Sequence, residues 1–90
     1  MIQELTLGAP VRYQADYIEF VGSLDGKQQV FRVDASVFRE MLQVTRIDET
    51  SIKNLFMADP EHFLFVAARK LAEQAPSSVP IQLTLADLLR

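Results

Sequence analysis

The chain has no cysteine, a single histidine and only three glycines in 90 residues. The absence of cysteine excludes a disulfide framework, a thiol nucleophile and thiolate metal sites, and it fits a cytoplasmic chain. One histidine, His62, cannot build a zinc site, which needs three or four ligands at characteristic spacings. Gly8, Gly22 and Gly26 stand too far apart for a phosphate-cradling loop. No apolar run approaches the length of a transmembrane helix. The N-terminus, Met1-Ile2-Gln3-Glu4-Leu5, lacks the basic region and apolar stretch of a signal peptide. Basic charge is thin as well. Nine Lys and Arg against twelve Asp and Glu leave a net charge of −3. The basic residues are scattered and form no stripe of the kind that phosphate binding needs, so a nucleic-acid role is disfavoured.

What is present is apolar and periodic. A hydrophobic fraction of 49% argues for a folded globule. Residues 1–90 make one domain, with little room for a second core. The clearest local signal is the hairpin from Tyr17 to Val33. Asp25-Gly26 suits a two-residue type I′ turn, which requires φ > 0 at both central positions. Counting outward from that turn, Leu24 faces Lys27, Gly22 faces Gln29, Phe20 faces Phe31 and Ile18 faces Val33. On the other side of the sheet Ser23 meets Gln28, Val21 meets Val30 and Glu19 meets Arg32. One side is aromatic and aliphatic, the other mixed, as in a sheet with one buried face.

Around the hairpin the pattern predicts a strand of uncertain limits before it, with Gly8-Ala9-Pro10 as punctuation. After it, Asp34 and Ser36 are candidate N-caps for a helix that carries Val37, Phe38, Met41, Leu42 and Thr45 on one side and ends near Thr45 and Arg46. Asp48-Glu49-Thr50-Ser51 opens a second helix with Ile52, Leu55 and Phe56 as its stripe. Asp59-Pro60 ends that helix near Ala58 and starts a third, over about 60–75, with Leu64, Ala67, Ala68, Leu71 and Ala75 on its buried side. Phe63 and Phe65 flank that side, and Val66 falls on the outer face. Ile81 to Leu85 alternates as a strand, and residues 86–90 form a helical turn or a tail. The fold class is α+β: an antiparallel three- to four-stranded sheet with two or three helices packed on one face. Its buried set is Ile18, Phe20, Phe31, Val33, Phe38, Met41, Leu42, Leu55, Phe56, Leu64, Ala68, Leu71, Ile81 and Leu83.

Chemistry-bearing residues are sparse. His62 reads as an ordinary surface histidine. Asp48, Asp59 and Glu61 match helix capping and the helix dipole. The serines sit in turns or caps, outside any nucleophile-elbow context. These readings point away from an enzyme, and they suggest no cofactor and no metal. What remains is apolar surplus: Met57, Phe65, Val66, Leu88 and Leu89 do not all fit a core this small, and they form the candidate interaction surface. The expected function is a small cytoplasmic protein-interaction module, in its simplest form a homodimer, with a small-molecule-binding domain and then a nucleic-acid accessory as alternatives.

Ile18-x-Phe20, Gly26, Val30-Phe31-Arg32-Val33, the short helix after them, Leu55-Phe56 and Ala67-Ala68-x-x-Leu71 together resemble the small bacterial proteins called domain of unknown function 1488. The resemblance covers about residues 11–85. It implies a single α+β domain with a hairpin, helices and a final strand, a bacterial cytoplasmic origin, and no assigned activity.

Overall fold

The computed structural model describes residues 5–89, with backbone alone at residues 9 and 10. Three strands come first: β1 (Thr6–Tyr13), β2 (Tyr17–Leu24) and β3 (Lys27–Asp34). Three helices follow: α1 (Ala35–Leu42), α2 (Glu49–Ala58) and α3 (Pro60–Glu73). A short strand β4 (Ile81–Leu83) and a last helix α4 (Leu85–Leu89) complete the order. Among the described residues the strands lie in one sheet in the order β1-β2-β3-β4. The α+β class holds, with four helices.

The hairpin takes the register set by its turn. Asp25 and Gly26 both have positive φ, 52° and 80°, and the pairs run from Leu24↔Lys27 through Phe20↔Phe31 to Ile18↔Val33. Gly22 lies at a close approach. A Cβ there would come within 2.8 Å of the Leu5 side chain and 3.1 Å of the Phe31 ring, so its bare backbone lets Leu5 pack against the sheet.

β1 is the strand expected before the hairpin: it passes through Gly8-Ala9-Pro10, and its register against β2 shifts between Gly8↔Val21 and Arg12↔Glu19. A bulge absorbs the irregular residues, which β1, last in the order of the described strands, tolerates. The final strand is shorter than expected, and it pairs parallel with β3, not antiparallel (Phe31↔Ile81, Arg32↔Gln82, Val33↔Leu83). Three helices separate the two strands, and such a crossover brings the chain back to the end where β3 began.

The core lies between one face of the sheet and the helices. Ile18, Phe20, Phe31, Val33, Ile81 and Leu83 meet Phe38, Ile52, Phe56, Phe63, Val66 and Ala67. Five of the six phenylalanines are buried there. Phe56 is central, with ring centroids 5.2 Å from Phe20, 5.0 Å from Phe63 and 6.4 Å from Tyr13.

This cluster explains the misjudged face of α3. The helix buries Phe63, Val66, Ala67 and Ala68, while Leu64 and Leu71 are half-buried. The phenyl ring removes more apolar area from water than a leucine, so the helix turns Phe63 toward Phe56 and carries Val66, three residues on, inward with it. Ala75, beyond the end of α3, is exposed. Leu55, also assigned to the core, is half-buried, as it lies beside the Ile52–Phe56 stripe.

Helix α1 is also shorter than its apolar pattern. It ends at Leu42, where Gln43 adopts a left-handed conformation with φ 56° and ψ 45°. The Gln43 amide donates to Glu40 O and the Val44 amide to Arg39 O, a Schellman arrangement that satisfies the last carbonyls. Met41 and Leu42 are therefore exposed, against the core assignment, because the second turn of α1 runs past the packed layer. Glutamine pays a steric penalty in this conformation that glycine avoids. Gln43→Gly is expected to raise stability by about 0.5–1 kcal/mol, the relief of strain being partly offset by glycine's freer unfolded state. Urea denaturation measures this, and a loss of stability would mean that the turn differs in solution.

Candidate functional site

Each residue assigned to the interaction surface has a clear place. Met57, Phe65 and Leu89 are exposed, Phe65 by 55% and Leu89 by 70%. Val66 and Leu88 are not, being only 2% and 3% exposed, and both leave the candidate surface. Val66 is turned inward with Phe63. Leu88 is tucked in because α4 is a formed helix anchored against α3, which points Leu88 and half-buried Leu85, three residues apart, toward the core.

The anchor of α4 is a polar cluster absent from the sequence reading. Thr84 and Asp87 bond reciprocally: the Thr84 amide and hydroxyl donate to Asp87 Oδ2 at 2.9 Å each, and the Asp87 amide donates to Thr84 Oγ1 at 3.3 Å. This is a capping box in which aspartate takes the usual glutamate position. Lys70 Nζ reaches across from α3 to the same carboxylate, 3.1 Å from Oδ2. Burial pushes the Asp87 pKa up. The Thr84 amide, Lys70 and the Thr84 hydroxyl outweigh that and hold it below the ordinary carboxylate value. The Thr84-x-x-Asp87 spacing was the signal that could have revealed the box.

His62 is part of the same junction. Its Nε2 lies 3.2 Å from the Leu88 carbonyl. A carbonyl only accepts, so that nitrogen carries the proton. The histidine straps α4 to α3, more than the free surface group expected. Asp48 and Asp59 cap α2 and α3 as expected, accepting from the Ser51 amide at 2.7 Å and the His62 amide at 3.3 Å. Buried Gln29 was also missed. It accepts from the Ser77 amide and donates to the Val30 and Val79 carbonyls, which ties the 74–80 connection to β3. Among the described residues no group of three or more His, Asp or Glu is placed to hold a metal ion. No helix among them is long and apolar enough to cross a membrane.

Two surfaces are left. The first is the end of α1, where Met41, Leu42 and Val44 are all exposed within four residues of chain. Met41 and Leu42 close the helix and Val44 follows the Schellman turn, so the end of α1 is an apolar knuckle of exposed side chains. Arg39 and Glu40 stand immediately before it.

The second is the sheet face turned away from the helices. Its strand pairings set two rows across the sheet. One is charged and polar: Arg12, Glu19, Arg32 and Gln82. Arg32 Nε and Nη2 both donate to Glu19 Oε2, Nε at 2.9 Å, and the guanidinium lies 4.2 Å over the Tyr17 ring. The other row is small and apolar: Gly8, Val21 and Val30. No family model matches the chain, and no curated protein or solved structure matches it.

Proposed function

We propose that the chain is a small protein-interaction module that forms a two-fold homodimer through the α1 knuckle. The carrying observation is the run of Met41, Leu42 and Val44, exposed together in a domain that buries five of its six phenylalanines. Contiguous exposed apolar side chains favour a partner surface. The flanking charges favour a second copy as that partner. Arg39 and Glu40 carry opposite signs beside the knuckle, so a two-fold axis can set each arginine near the glutamate of the other copy. Phe65 on α3 and Leu89 on α4 are further exposed apolar side chains. A cytoplasmic setting without nucleic acid, and membership of the bacterial family named above, complete the proposal. They rest on the lack of cysteine, the scattered basic charge and the hairpin spacing.

Sedimentation equilibrium at micromolar concentration tests the dimer. The unaltered chain is expected to dimerise, and Leu42→Asp to weaken association by about tenfold or more, some 1.4 kcal/mol. Leu42 is exposed, so the substitution leaves the fold intact, as circular dichroism would verify. A monomeric unaltered chain, or an unchanged dimer in the variant, would remove the knuckle as the interface. A small-molecule-binding role is the second reading, favoured by the opposite side of the molecule.

A further inference from the structure

The sheet face away from the helices carries a groove of 230 Å³ lined by Arg12, Glu19, Phe20, Val21, Val30 and Pro80. It runs along the boundary between the charged row and the apolar row. Val21 is the telling residue. It belongs to the uncovered face and not to the core cluster, yet it is only 9% exposed. Its neighbours already shield much of it, so the floor of the groove is apolar at its centre. Gly8 stands beside it, where a Cβ would touch Val21 at 3.3 Å.

The charges of the rim have a definite balance. Glu19 is engaged by Arg32. Arg12, which pairs with Glu19 across β1 and β2, makes no ion pair with a described residue. With Arg32 counted, which holds Glu19 from outside the lining, the three side chains carry one net positive charge, and the guanidinium that lines the groove is Arg12. Size narrows the occupant further. The volume equals about eight waters at roughly 30 Å³ each, well under a drug-sized pocket.

We propose that this groove binds a short-chain monocarboxylate of about eight non-hydrogen atoms. Arg12 takes the carboxylate in a bidentate pair, and Val21, Val30 and Pro80 take the hydrocarbon. The helical knuckle plays no part, so this proposal and the dimer can fail separately. A shallow, half-open site of this kind implies an affinity of about millimolar.

The test is an amide chemical-shift titration of the full chain with hexanoate, with hexylamine as the arm of opposite charge and acetate as the arm without a hydrocarbon. Hexanoate is expected to give saturable shifts clustered on Arg12, Glu19, Val21 and Val30. Hexylamine should give none there, and acetate weaker ones. Arg12→Gln should weaken hexanoate binding by about fivefold, since Arg12 is exposed and its pairing screened. Arg12→Lys should recover part of the loss. Absent or unsaturable shifts, equal shifts with hexylamine, or an unchanged affinity in Arg12→Gln would each overturn the proposal.

Discussion

Replacing Phe56 with alanine is expected to destabilise the domain by about 3–5 kcal/mol, the usual cost of emptying an aromatic core site. Phe56 is fully buried, and its ring is the meeting point of Phe20, Phe63 and Tyr13. Those neighbours come from β1, β2 and α3, so the cavity would open where sheet and helices join. Because the contacts are held by separate elements, they cannot all relax into the gap. A domain of this size has a total stability near the lower half of about 5–15 kcal/mol, so the variant should lie close to its unfolding midpoint at room temperature. Urea denaturation followed by far-ultraviolet circular dichroism measures the effect. A loss of less than about 1 kcal/mol would show that Phe56 is not at the centre of the packing. Phe65→Ala is the natural control. That ring is exposed, and its loss should change stability little.

Asp87→Ala should come next, at about 2–3 kcal/mol, the scale of hydrogen bonds to a charged group. The substitution removes the acceptor for the Thr84 amide, the Thr84 hydroxyl and Lys70 together. It leaves the Lys70 ammonium without that partner and releases the start of α4. The same carboxylate contributes to acid sensitivity. Its folded pKa lies below the ordinary value of 3.8, so the unfolded chain takes up the proton first. The stability it supplies is therefore complete above the unfolded value and is lost as pH falls through the folded one. Stability of the unaltered chain should decline below about pH 4, and the decline should be shallower in Asp87→Asn. Some slope will persist, because Asp48 is also shifted down, first by the hydrogen bond from the Ser51 amide. Equal acid slopes in the two chains would show that Asp87 is not held by this junction in solution.

The legible parts of this fold are those whose information is local. The hairpin register followed from Asp25-Gly26 and a period of two, because a slip of one residue would send Ile18 and Phe20 into water. The ends of α2 and the start of α3 followed from Asp48, Asp59 and Pro60, whose effects reach only one turn. The face of α3 was not legible, because the run from Phe63 to Ala68 is apolar on nearly every side and the wheel has no unique buried centre. Phe56, seven residues earlier, decides it. The direction of β4 was hidden for a similar reason. Three uncharged residues pair equally well either way, and the crossover before them sets the choice. At the candidate surfaces, Phe65 and Leu89 were legible as apolar surplus. The knuckle was not, since it depends on where α1 stops. The groove was half legible. Glu19 opposite Arg32 came from the hairpin, but Arg12 could be placed only by resolving the bulge in β1.

The parallel pairing of β4 also orders events in time. The Gln29–Val79 hydrogen bond joins residues 50 apart in sequence, and Phe31↔Ile81 lies beside it. Strands β1 to β3 can assemble by short loops, on the microsecond scale of hairpins. The edge beyond β3 must wait until the three helices have been traversed and the long loop closed, an entropic cost met before the contact is made. On a ribosome this means that the backbone of β3 stays unpaired on that side, along Phe31 to Val33, until Ile81–Leu83 has emerged and docked. The last strand is thus the step that commits the chain, and the interval before it is when the nascent sheet edge is open to a wrong neighbour.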